Sequence, residues 1–167
     1  MRATDATGQQ RPAQKRNVPG NRALRKGRVS LASHVYLITT VTRGREPLFS
    51  EFGAGCAAAR CFDDAHVLHD TRMLAWVLMP DHAHWLIQLG EADGLSGVVN
   101  RLKSASARCA NRVLHRSGAL WAQSFHDHAL RAEEDLLRSA RYVVANPVRA
   151  GLVERVGDYP FWNAVWI

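Results

Sequence analysis

The stretch from Leu74 to Leu89 restricts the fold of this chain more than any other. Leu74 to Met79 (LAWVLM) is continuously apolar, the pattern of a strand buried on both faces. Pro80-Asp81 is a tight-turn dipeptide. A second strand follows from His82 to Leu89 (HAHWLIQL), and its two faces differ. Ala83, Trp85, Ile87 and Leu89 are all apolar, whereas His82, His84 and Gln88 share the other face with Leu86. The chain therefore needs a central hairpin with one side on a core and the other carrying polar groups.

The flanking segments supply what covers such a hairpin. His34 to Thr42 (HVYLITTVT) is rich in β-branched residues and reads as a strand, ended by Gly44 to Pro47. Phe52 to His69 reads as a helix, weakened at its start by Gly53 and Gly55. Leu95 to Leu114 is an amphipathic helix, with Val98, Leu102, Ala105, Cys109 and Val113 in one stripe and Arg101, Arg108, Arg112 and Arg116 in a second. Trp121 to Leu130 alternates loosely as a further strand. Glu133 to about Asn146 is a helix opened by three acids, which suit its N-terminal dipole, and stopped by Pro147 and Gly151. The order β, α, β-β, α, β, α predicts an α+β fold, an antiparallel sheet covered by helices in a ferredoxin-like arrangement.

Charge divides the chain in two. Residues 1–29 carry eight Lys and Arg against Asp5 alone, and so hold the whole net charge of +7. Rich in Gln, Gly, Pro and Arg and without hydrophobic period, they read as a disordered basic tail before a single domain at 30–167. Such an arm suits nucleic-acid phosphates; the alternatives are a solubilising leader or residues before an over-early start codon. Cys56, Cys61 and Cys109 form no CxxC and leave an odd thiol, which excludes a disulfide framework and a thiolate zinc knuckle and points to a reducing cytoplasm. No apolar run approaches the roughly 18 residues of a membrane span, and the basic N-terminus lacks the apolar block of a secretory signal.

His82 and His84 are the sharpest chemical signal. Two residues apart on a strand, their imidazoles leave one face, close enough to hold one cation. A pair of surface histidines is the alternative, and a second HxH at His126 and His128 shows how readily the pattern arises. Tyr142 lies on the far side of the apolar arc formed by Leu136, Leu137, Ala140, Val143 and Val144, where a core tyrosine would not sit. Asn146 follows one turn later, so the two side chains emerge side by side. A tyrosine packed on a surface neighbour is the competing reading. Arg101, Lys103, Arg108, Arg112 and Arg116, with no acid between Asp93 and Asp127, suit contact with a DNA backbone, or form a solvated helix face.

The stretch MPDHAHWLI, a basic helix, and then WAQSFHDHALRAEEDLLRSARYVVANPVRAGLV resemble the REP-associated tyrosine transposases, single-tyrosine members of the HUH (His, hydrophobic, His) superfamily. The likeness runs from about Val35 to the DYPFW near the C-terminus. MPDHxH, FHDHxLR and YxxxNPVRAGLV in this order and spacing are specific. Ala83 is a departure, small where many relatives carry a bulkier apolar residue. The resemblance implies a sheet sandwiched between helices and a divalent-metal-dependent endonuclease and strand transferase acting on single-stranded or hairpin DNA. It sets His82 and His84 as metal ligands, Tyr142 as nucleophile, and Asn146 where such proteins carry a third polar ligand. Two imidazoles and an amide oxygen suit Mg²⁺ or Mn²⁺ with open positions. No nucleotide cofactor is implied, since a 5′-phosphotyrosine would conserve the bond for strand transfer, and the chain would act as monomer or homodimer near the nucleoid. Two rivals keep the fold: a non-catalytic hairpin-DNA-binding regulator, and a small metal-dependent hydrolase whose only nearby carboxylate base is Asp127.

Overall fold

The computed structural model describes residues 30–131 and 133–166; the basic segment 1–29 lies outside the described residues. The elements are β1 (Val35–Val41), α1 (Phe52–Ala59), α2 (Ala65–Leu68), β2 (Arg72–Met79), β3 (His82–Gln88), α3 (Leu95–Val113), β4 (His126–Ala129), α4 (Glu133–Val144), α5 (Asn146–Arg149) and β5 (Trp162–Ala164). Among the described residues five strands form one sheet in the order β4-β1-β3-β2-β5, every neighbouring pair antiparallel. The first four strands with α1 and α3 trace the ferredoxin-like β-α-β-β-α-β path. Among the described residues no helix is long and apolar enough to cross a membrane.

The apolar run of β2 is explained by its place. Every residue from Met73 to Met79 is buried, because helices cover the sheet on both sides. A register shift between Met73 and Ala75 puts Leu74 and Ala75 together on one face and leaves Trp76 and Leu78 on the other. On one side Trp76, Leu78, Ala83, Trp85 and Ile87 pack under α1 and α3. Phe62 packs edge-on to Trp76 and Trp85, at 5.3 and 5.2 Å between ring centroids. On the other, Val77, Met79 and Leu86 meet Ala140, Val143 and Val144 of α4. The period of β3 thus sends Trp85 to one core and His84 to the opposite face.

Two sequence expectations change in the structure, and one strand is added. The helix expected from Phe52 to His69 is two pieces. Glu51 caps α1, its carboxylate accepting from the Gly53 and Ala54 amides, and Asp64 caps α2 by accepting from the His66 amide. Between them the chain dips so that Trp76 Nε1 donates to Asp63 at 2.9 Å. Gly55 is no mere weakness: a Cβ there would stand 2.5 Å from the Phe161 ring. The strand expected from Trp121 to Leu130 shrinks to His126–Ala129, with Trp121 bridging Thr42 alone. The buried Lys103 ammonium draws in the carbonyls of Ala122, Gln123 and Ser124, which takes them off the sheet ladder. Finally, β5 edges the sheet beside β2, anchored where Tyr159 donates to the Leu78 carbonyl at 2.7 Å.

Candidate active site

Register decides which side chains meet on the α4 face. In the β1–β3 ladder Thr39 pairs with His84 and Val41 with His82, so all four share one face. Their neighbours Thr40 and Ala83 face the other way. The two imidazoles stand 5.0 Å apart between ring centroids and nearly perpendicular, at 89°. His82 opens the strand, half-buried, and its Nδ1–H donates to Asp81 Oδ1 at 2.6 Å. His84 is 7% exposed, and its Nδ1 lies 2.9 Å from Thr39 Oγ1. Burial first, and the neighbouring His82 second, push the His84 pKa down to about 4, which leaves a neutral ring. Burial works to raise the Asp81 carboxyl, but hydrogen bonds from His82 and Arg45 outweigh it and hold the group below its ordinary value.

Above this floor sits Tyr142. Its ring centroid is 6.1 Å from that of His84, yet the residue remains 38% exposed. The other two tyrosines are committed elsewhere: the Leu31 amide donates to Tyr36 Oη, and Tyr159 Oη donates to Leu78. The break between α4 and α5 at Ala145 brings Asn146 next in line. Its Nδ2 donates to the Tyr142 and Val143 carbonyls at 2.8 and 3.2 Å. Because both partners are acceptors, the amide nitrogen must face them, and Oδ1 lies outside those bonds. Arg149 of α5 holds its guanidinium carbon 4.6 Å from the Tyr142 ring centroid.

The arrangement fits a divalent cation in its donor chemistry. Two imidazoles, one of them held neutral, have a ring nitrogen each outside the Nδ1 hydrogen bonds, and Asn146 adds an amide oxygen one turn after Tyr142. Among the described residues no set of three or more His, Cys, Asp and Glu side chains is placed to hold a metal ion. His126 and His128 pair with Thr39 and Leu37, which puts them on the same face but on edge strand β4. Asp127 pairs with Ile38 and belongs to the opposite face.

The cations of α3 do not lie beside the histidines. That helix packs on the core of Trp85 and Ile87, the far face of the sheet. Arg101 pairs with Asp93 at 2.8 Å and donates to the Val67 carbonyl, and Arg116 pairs with Glu46 at 3.0 Å. Lys103, only 9% exposed, is spent on backbone carbonyls. Arg108 and Arg112 are exposed. Sequence reasoning missed Arg149, Asp81 and Thr39. Arg149 had a signal, since seven residues on from Tyr142 return almost to the same helical azimuth. Thr39 had none, because its place depends on strand register.

Residues 30–145 match the family described as transposase IS200 like. A REP-associated tyrosine transposase of Haemophilus influenzae is 34% identical over 98 residues, 53% of this chain and 56% of that protein. The Escherichia coli REP-associated tyrosine transposase is 32% identical over 89 residues, 52% of this chain and 50% of that protein. The chain spans about half the length of these curated relatives. The solved structure of a REP-associated tyrosine transposase bound to a REP hairpin superposes with a TM-score of 0.64 at 25% identity, over 81% of this chain and 79% of that one. A structure described as a transposase from Deinococcus radiodurans shares the fold, with a TM-score of 0.50 at 23% identity over 71% of this chain and 94% of that one.

Proposed function

Because the chain belongs to the IS200-like transposase family, we propose that it is a DNA strand transferase that cuts single-stranded or hairpin DNA through a covalent bond to Tyr142. The observation that carries this reading is the position of the one tyrosine hydroxyl, among the described residues, not committed to the backbone. Its ring lies 6.1 Å from that of His84 between centroids, with a guanidinium against it. Tyr142 Oη attacks phosphorus, the Oη–P bond forms, and the P–O3′ bond breaks. The electron pair leaves on O3′, which takes up a proton and becomes a free 3′-OH. The product is a 5′-phosphotyrosine, and attack by another 3′-OH reverses the step without ATP. The Arg149 guanidinium, its carbon 4.6 Å from the Tyr142 ring centroid, sets a cation beside the attacking residue. His82 and His84, with Asn146, would hold Mg²⁺ or Mn²⁺, which when bound polarises a phosphate oxygen. The neutral state of His84 keeps its ring lone pair ready for that cation at physiological pH.

The hydrolase alternative loses its base, since Asp127 lies on the other face of the sheet and Asp81 is engaged by His82 and Arg45. The regulator alternative is separated by experiment. A 3′-labelled single strand incubated with Mn²⁺ should leave label on the protein, mapping to Tyr142 by mass spectrometry, and Tyr142→Phe should show neither label nor cutting. An adduct on another residue, or undiminished cutting by the variant, overturns the reading.

A further inference from the structure

An imidazole can give a lone pair to a cation from one nitrogen only if the proton sits on the other. An isolated histidine side chain prefers its proton on Nε2, the wrong one for ligation through that atom. Both histidines of this site have an oxygen set against Nδ1. Asp81 Oδ1 accepts from His82 Nδ1–H at 2.6 Å, and an ionised carboxylate can only accept. Asp81 is itself fixed: Arg45 donates to its other oxygen at 3.1 Å, while the Thr42 amide donates to its backbone carbonyl at 2.8 Å. Thr39 Oγ1 stands 2.9 Å from His84 Nδ1 because the antiparallel register puts the two residues directly opposite. A shift of one residue would replace Thr39 with a side chain of the other face.

We propose that Asp81 and Thr39 are positioning residues that hold His82 and His84 in the Nδ1–H tautomer and so reserve both Nε2 atoms for a divalent cation. The inference rests on the metal reading of the site, and it adds two residues that stand against Nδ1 of the two imidazoles. The chemistry is that of an outer shell, in which an acceptor on the far nitrogen sets both the tautomer and the tilt of the ring. The two devices differ in kind. Asp81 adds a charge that strengthens the His82 bond, whereas Thr39 offers a neutral oxygen suited to the buried His84.

The test uses metal-free protein for two-bond ¹H–¹⁵N correlation of the imidazoles, and calorimetric titration with Mn²⁺ for affinity. Both rings are expected as Nδ1–H in the parent protein. Asp81→Ala should move His82, and Thr39→Val should move His84, towards Nε2–H, each weakening Mn²⁺ about tenfold or more. Asp81→Asn and Thr39→Ser keep an acceptor oxygen and should restore tautomer and most of the affinity. A merely structural role would lower the melting temperature without moving a tautomer. Unchanged tautomers together with unchanged affinity in Asp81→Ala and Thr39→Val overturn this inference while the metal reading stands. A parent protein that binds no Mn²⁺ overturns the metal reading and this inference with it.

Discussion

His82, His84 and Asn146 offer two kinds of donor, and the difference sets an order of effects. An amide oxygen is a poorer ligand for a first-row cation than an imidazole nitrogen. Asn146→Ala should therefore weaken Mn²⁺ binding less than His82→Ala or His84→Ala, by roughly tenfold, or about 1.4 kcal/mol. The same change removes two bonds from Nδ2 to carbonyls at the α4–α5 break, at a cost of about 1 kcal/mol, so the titrations need conditions where every variant is folded. His126→Ala and His128→Ala should leave affinity unchanged, for β1 intervenes between β4 and β3 and the backbones stand about 10 Å apart. Loss of binding in those two variants instead would move the metal to the other HxH. Tyr142→Phe, which removes an exposed hydroxyl and opens no cavity, should alter stability by no more than about 0.5 kcal/mol.

At the scale of elements, α3 separates what a periodicity can say from what it cannot. Its apolar stripe identifies the side turned to the core, and Val98 and Leu102 are fully buried there. No period says which face of the sheet the helix will cover, and that alone decides whether its arginines stand near the histidines. Nor could Lys103 be told from its neighbours, because a lysine with a buried head looks in sequence like one with a solvated head. Lys103→Met should cost about 1–2 kcal/mol in denaturant unfolding, by taking their donor from the part-buried carbonyls of Ala122, Gln123 and Ser124. Arg108→Gln with Arg112→Gln should be nearly neutral in the same measurement. If the pair meets phosphates, the salt dependence of single-strand binding should flatten by about 0.7 for each phosphate no longer neutralised. The hairpin was legible because burial on both faces demands an unbroken apolar run, and its two-residue turn is as expected. The strand β5 was not, being three residues long and held by Tyr159 rather than by its own pattern. Burial raises the Tyr159 phenol to about 12 from an ordinary 10. The folded state thus keeps a proton that the unfolded chain releases, so stability is full below pH 10 and falls as pH rises from 10 through 12. Tyr159→Phe should be less stable at neutral pH and lose that alkaline component, as read by urea midpoints across the range.

The described residues form a sheet between two unequal layers, and the candidate site lies on the thinner one. Helices α1 to α3 seal one face, while α4 and α5 cover the other and leave Tyr142 at their rim above the buried His84. In the proposed reaction a scissile phosphate must reach both Tyr142 on the α4 rim and the imidazoles on the sheet. A flexible single strand can bring one phosphodiester to that place. Duplex DNA, stiff over about 50 nm, cannot do so without a large local deformation. The relative superposed above is bound to a REP hairpin. Labelled oligonucleotides carrying a small hairpin with single-stranded flanks should be cut in Mn²⁺, and the same sequence annealed to its full complement should be spared. Opening the duplex over the flank alone should restore cutting, which separates access from sequence. Equal cutting of the closed duplex would mean that access beneath the α4 rim does not select the strand, and that attack by Tyr142 takes place on a backbone still held in the double helix.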